Sequence, residues 1–183
     1  MAIRKIAQTG NPVLRKKAEL VPLENIDSSA IQSLIDDMID TKEEYHGAGL
    51  AAPQIHESLQ IIVVGIGDSE RYPDSLLTPD TIIINPKVAS FSQDMDEDWE
   101  GCLSLNDLWG MVKRSNEIVV EGYNREGGSI EIQAKGFTAR VFQHEIDHLY
   151  GKLFVDRMSS MDSLSFGPEF RRYSKMLKKE ELL

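Results

Sequence analysis

The string His144-Glu145-Ile146-Asp147-His148 constrains the fold of this chain more than any other, because an H-E-x-x-H pattern has chemical use only on a helix. Residues four apart stack about one turn along the same face, so His144 and His148 can offer two imidazoles to one ion, with Glu145 offset beside it. A divalent cation held there lowers the pKa of a bound water from about 16 toward about 7, and Glu145 would take the proton. The bland alternative is a chance pattern on a surface helix, in a chain with 30 acidic residues. The flanks favour a site. Thr138 reads as an N-cap and Gly151 as a C-terminal stop. Phe142, Ile146 and Leu149 form one apolar stripe and Val141, His144 and His148 the neighbouring one, so the histidines face inward.

A third ligand must come from elsewhere. The extended H-E-x-x-H-x-x-G-x-x-H layout fits at Gly151 but fails at Phe154, which cannot bind metal. A distant glutamate could be Glu169, although an acidic residue in a first helical turn has an ordinary role there. Cys102 is the remaining candidate, since a thiolate is a strong ligand for borderline metals. Taken alone, a single cysteine is more often buried and inert.

A third string changes that balance. Gly47-Ala48-Gly49-Leu50-Ala51-Ala52-Pro53-Gln54, Glu100-Gly101-Cys102-Leu103-Ser104 and Gln143 to His148 follow the order G-x-G-L-A-A-P-Q, E-G-C-L-S, Q-H-E-x-D-H. Together they resemble the peptide deformylases, and Leu149, Gly151, Leu153, Phe154, Asp156 and Arg157 continue the likeness. The resemblance implies removal of the formyl group from the N-terminal formylmethionine of newly synthesised proteins. It implies Cys102, His144 and His148 as metal ligands, with Glu145 as general base and acid. The Leu103 N–H and the Gln54 amide would bind the developing oxyanion, and Gly49 would hydrogen-bond the peptide main chain. It implies ferrous iron as the native ion, with zinc, nickel or cobalt able to substitute, since this ligand set suits them all. Glu100 and Arg114 are implied to pair behind the ligands, and Asp147 either steadies the helix or a ligand, or is an ordinary solvated carboxylate.

The roles are chemically sensible in themselves. Attack on a formamide creates a tetrahedral oxyanion, and removing one fixed donor to it costs about 3 kcal/mol. Gly47, Gly49, Ala51 and Ala52 would let a substrate backbone approach closely. Two positions depart from the family. Trp109 stands where an arginine is common, either as an aromatic platform for the peptide or as core. Ala48 stands where a branched aliphatic residue is usual, which implies a roomier pocket for the first side chain.

The remainder predicts an α+β fold, with mixed or antiparallel sheets packed around a central metal-binding helix and with N-terminal and C-terminal helices. Ile31, Leu34, Ile35, Met38 and Ile39 recur at helical spacing between Ser29 and Tyr45. Strand signals occur at 60–65, 81–85, 117–123 and 129–134, the last two joined as a hairpin through Asn124 to Gly128. Residues 67–79 read as a polar surface loop. The acidic stretch Asp94, Asp96, Asp98, Glu100 fails as a calcium loop because Trp99 stands where glycine is needed, and reads as a solvated rim. The whole chain, 1–183, reads as a single catalytic domain, since 41% hydrophobic composition supports one core without a compositional break.

No apolar run approaches the roughly 20 residues that span a bilayer, and a lone thiolate ligand survives best in a reducing compartment. The expected setting is therefore the cytoplasm, without membrane contact. A net charge of −10 argues against DNA binding. The expected partners are formylated nascent peptides, with a ribosome contact through the basic C-terminal helix that carries Arg171, Arg172, Lys175, Lys178 and Lys179. A peptidase, or another metal hydrolase of acyl-amides, is the competing enzyme reading. A binding-only protein would have no need of Glu145 beside the metal.

Overall fold

The computed structural model describes residues 2–65 and 78–180. The polar loop expected at 67–79 therefore lies almost wholly outside the described residues. Helix α1 spans Ser29–Glu44, with the Ser28 hydroxyl accepting from the Ile31 N–H at 3.4 Å as an N-cap. Its apolar stripe, Ile31, Leu34, Ile35 and Met38, is buried as the spacing predicts.

Strands β1 (Gly49–Ala51), β2 (Ile61–Val64), β3 (Thr81–Phe91), β6 (Glu117–Tyr123) and β7 (Ser129–Lys135) form an antiparallel sheet in the order β1-β2-β3-β6-β7. The expected β6 and β7 hairpin is present, paired from Glu117 with Lys135 to Tyr123 with Ser129. Strand β2 reads Ile61-Ile62-Val63-Val64 and is buried on both faces. Because side chains alternate along a strand, Ile61 and Val63 join Leu50 and the α1 stripe in one cluster. Ile62 and Val64 join Phe142, Ile146 and Leu149 in the other. Full burial of each such side chain contributes about 1.5–3 kcal/mol, which is why β1 and β2 are held firmly between two helices.

The second of those helices, α2, spans Gly136–Leu149 and carries both histidines. Its start differs from expectation. Lys135, in extended conformation, is the cap residue and makes no side-chain cap bond, so Thr138 lies inside the helix. Gly151 does act as the stop, at φ 69°, where the left-handed backbone lets its N–H reach the His148 carbonyl at 3.1 Å.

A second sheet, β4 (Met95–Gly101), β5 (Leu108–Ser115) and β8 (Ser165–Phe166), is also antiparallel. The reading of the acidic stretch 94–100 as a solvated rim holds at Asp94 and Asp96, which are exposed, and is corrected at its inner end. That stretch is β4, and Glu100 is buried at its inner end, because two arginines from neighbouring elements neutralise it. Helix α3, Gly167–Glu180, follows β8. Phe170 packs down on Trp109, whereas Tyr173 is 43% exposed. The side chains of Lys175, Lys178 and Lys179 lie outside the described ones. Among the described residues no helix is long and apolar enough to cross a membrane.

Gly151 also abuts Arg15, whose carbonyl would lie 2.7 Å from any Cβ placed there. Gly151→Ala should therefore lose about 1–3 kcal/mol of stability through left-handed strain and this clash. An unchanged urea midpoint would show that the Arg15 segment yields at no cost.

Candidate metal centre and pocket

Helical spacing puts His144 and His148 on one face of α2, and the strand end after β4 delivers Cys102 to that face. One donor atom from each of the three lies within 4.8 Å of the others, and all three residues are buried. Cys102 Sγ is 3.3 Å from His148 Nε2. Burial holds the His148 imidazole well below its usual pKa, so the neutral ring keeps one nitrogen lone pair free for a cation. Glu145 Oε2 and His148 Nδ1 are buried without a hydrogen-bond partner. Soft sulfur with two imidazoles and an unpartnered carboxylate oxygen beside them is a donor set that fits a divalent transition metal with one position left open. Glu169 belongs to the first turn of α3 and is no part of this group.

Behind these three donors lies an ion network. Glu100 Oε2 is 2.9 Å from His144 Nδ1, which leaves Nε2 of that ring for a metal. Arg114 clamps both oxygens of Glu100, at 2.9 and 3.0 Å, and reaches Asp147 Oδ2 at 2.5 Å. Arg157 holds the same Asp147 at 3.0 and 2.5 Å. Asp147 is thus a buried strut within the motif and not a solvated carboxylate. Burial raises the pKa of Glu100, but the hydrogen bonds from His144 and Arg114 overcome it and hold the carboxyl well below the usual range. Glu145 has no such partner, and burial pushes it up to about 7.

The pocket over this centre brings together most of the candidate residues. Ala48, Gly49, Gln54, Glu100, Leu103 and Glu145 line it with Cys102 and His144. The Ala51 N–H donates to Gln54 Oε1 at 2.8 Å, which turns the amide so that Nε2 faces Cys102 Sγ at 3.6 Å and Ser104 Oγ at 3.3 Å. Gly49 is required by contact: a Cβ there would lie 2.5 Å from Glu145 Oε1. Trp109 does not line the pocket. It is buried, packs over Gly101 and stacks on Phe170 at 4.3 Å between centroids.

Sequence reasoning missed Arg140, Trp99 and Phe137 in this wall. Arg140 donates to Glu100 Oε1 at 2.9 Å and to the Val112 carbonyl at 2.7 Å. Its place in the turn before His144 was the available signal, since an arginine four residues from a ligand shares the ligand's face.

Comparison with known proteins gives a consistent result. The family model described as Polypeptide deformylase matches residues 3–163. Peptide deformylase 2 of Pseudomonas syringae pv. tomato is 43% identical over 164 residues, covering 90% of this chain and 92% of the relative. Peptide deformylase 1 of Prochlorococcus marinus is 44% identical over 168 residues, covering 91% and 85%. The Met-Ala-Ser-bound class I type b peptide deformylase from Acinetobacter baumannii superposes with a TM-score of 0.83 at 36% identity, covering 86% of this chain and 99% of that one. The peptide deformylase from Legionella pneumophila gives 0.77 at 37%, covering 99% and 98%.

Glu100 joins one ligand to two buried guanidinium groups, so Glu100→Gln should be costly. Leaving buried charges unpaired is expected to remove about 3–5 kcal/mol of stability. Loss of the bond to His144 should weaken metal affinity about 10–100-fold. Competition with a chelator measures the second effect, and wild-type affinity would show that the helix alone orients His144.

Proposed function

Because the chain belongs to the peptide deformylase family, we propose that residues 1–183 act as one catalytic domain that hydrolyses the N-terminal formyl group through Cys102, His144, His148 and Glu145. The family removes the formyl group from N-terminal methionine, and this chain is an enzyme of that kind. Its metal dependence, the ion and the residue roles are our reading.

The observation that carries the reading is the unpartnered, buried carboxylate of Glu145 beside the three clustered donors. A divalent ion, ferrous iron in our reading, would be held by Cys102, His144 and His148 and would supply Lewis acidity and an acidified water. Glu145 Oε2 accepts a proton as attack proceeds and returns it to the amine leaving group. The Gln54 Nε2–H and the Leu103 N–H donate to the oxygen that gains charge. Support for Gln54 comes from the Ala51 N–H, which fixes its amide before substrate arrives. Gly49 offers its main chain to the peptide, and Ala48 leaves the first side chain more room than a branched residue would. The apolar surfaces of Trp99, Phe137 and Val141 help to keep bulk water away.

We place this activity in the cytoplasm, where formylated nascent chains emerge. A ribosome contact through the basic face of α3 completes the proposal, supported by exposed Arg171 and Arg172.

Iron-loaded wild type should release formate from formyl-Met-Ala-Ser faster than zinc-loaded protein. Glu145→Ala should lose at least about 100-fold of that rate with its metal retained. Gln54→Leu should lower kcat by about 100–1000-fold. Comparable turnover by Glu145→Ala would overturn the proton-transfer role, and cleavage of unformylated peptides would favour a peptidase. Removing residues 169–183 should reduce co-sedimentation with ribosomes, and undiminished co-sedimentation would remove α3 from the proposal.

A further inference from the structure

Lys42, in the last turn of α1, is a buried charge that the proposed chemistry leaves unused. It is only 3% exposed. Lysine is almost never buried unless paired, because holding its charge away from water carries a desolvation penalty. Its Nζ lies 2.9 Å from Asp80 Oδ1 and donates to the Gly65 carbonyl at 3.3 Å. Gly65 directly follows β2 and Asp80 directly precedes β3. The fit is close on both sides. A Cβ on Gly65 would lie 2.0 Å from Asp80 Oδ1, so the residue has no room for a side chain.

The same cluster reaches the pocket through the main chain. The Gly65 N–H donates to the Ala48 carbonyl at 3.0 Å, and the Gly47 N–H donates to the carbonyl of Lys42 itself at 2.9 Å. Lys42 is thereby tied to both sides of the Gly47–Gly49 turn, once through its side chain and Gly65, once through its own backbone. Ala48 and Gly49 line the pocket, and Gly49 sits against Glu145 with no space to spare.

We propose that Lys42 is a positioning residue for substrate: clasped to Asp80 and Gly65, it fixes the main chain of Ala48 and Gly49 at the distance from Glu145 that a bound peptide requires. The inference rests on the reading of Gly49 as the main-chain partner of the peptide. A small shift of the Ala48 and Gly49 main chain, to which Lys42 and Gly65 are tied, changes how a peptide seats beside it while the metal ligands, Glu145 and the Ala51 N–H that fixes Gln54 keep their places. The effect therefore falls on binding and spares the chemical step.

The test compares wild type with Lys42→Arg and with the double variant Lys42→Met, Asp80→Leu. Replacing a buried ion pair by apolar residues of similar volume is generally neutral or stabilising, so the double variant should fold, as circular dichroism would verify. If it does not, Asp80→Asn supplies the same comparison. For formyl-Met-Ala-Ser, KM should rise about tenfold in the double variant with kcat within about twofold. Calorimetric affinity for the product Met-Ala-Ser should fall by the same factor, and Lys42→Arg should recover most of both. Wild-type KM and product affinity in the folded double variant would overturn the proposal and leave Lys42 a purely structural ion. Wild-type protein that binds Met-Ala-Ser but releases no formate would overturn the proposed function instead, with calorimetry still deciding the clasp.

Discussion

The guanidinium of Arg114 is the interaction on which the site depends. It is buried in β5, grips both oxygens of Glu100 at the end of β4, and reaches Asp147 on α2. The small sheet that delivers Cys102 and the helix that delivers both histidines are bridged by this planar cation, alongside the bonds that Arg140 and His144 of that helix make to Glu100. Its charge is kept firmly, with a pKa raised above the usual arginine value: burial opposes the shift and the two carboxylates outweigh it. A bidentate guanidinium pair fixes orientation as well as distance. Glu100 can consequently hold His144 Nδ1 in place while the opposite ring nitrogen stays available.

Close approach is the second requirement, and it explains the density of glycine around the centre. Gly49 lets the main chain of β1 lie against Glu145, and Gly101 lets the indole of Trp109 lie over the strand next to Cys102. Trp109 is then covered by Phe170 of α3, while Trp99, a pocket residue, meets the edge of the same ring. The C-terminal helix is thus bonded to the wall of the pocket through aromatic surfaces.

Charge alternation hid β4. Asp94 and Asp96 are exposed as an acidic run should be, yet Glu100 at its end is buried between Arg140 on one side and Arg114 on the other. Nothing local distinguishes a solvated carboxylate from one buried against an arginine 40 residues away. The apolar run of β2 and the alternating patterns of β6 and β7 were legible because they arise from strand geometry alone. The extent of β3 was underestimated, since only 81–85 of its span to Phe91 is an apolar run and the outer half is largely exposed.

By itself, the sequence determined what depends on spacing along one element: two imidazoles and a glutamate on one helical face, an amphipathic α1, a hairpin, and a stop at Gly151. These follow from the 3.6-residue and two-residue repeats of the backbone, which need no distant partner. The place of Cys102 beside the two histidines was also legible in the sequence, through the three ordered motifs. Only the tertiary structure decided that Glu100 is a buried strut, that Arg140 stands in the wall, that Trp109 is covered, and that Lys42 clasps Gly65 and Asp80. Each of these outcomes depends on whether a charge or ring finds a partner across the fold. The free energy of burying a polar group is set by that partner, which residue spacing does not specify.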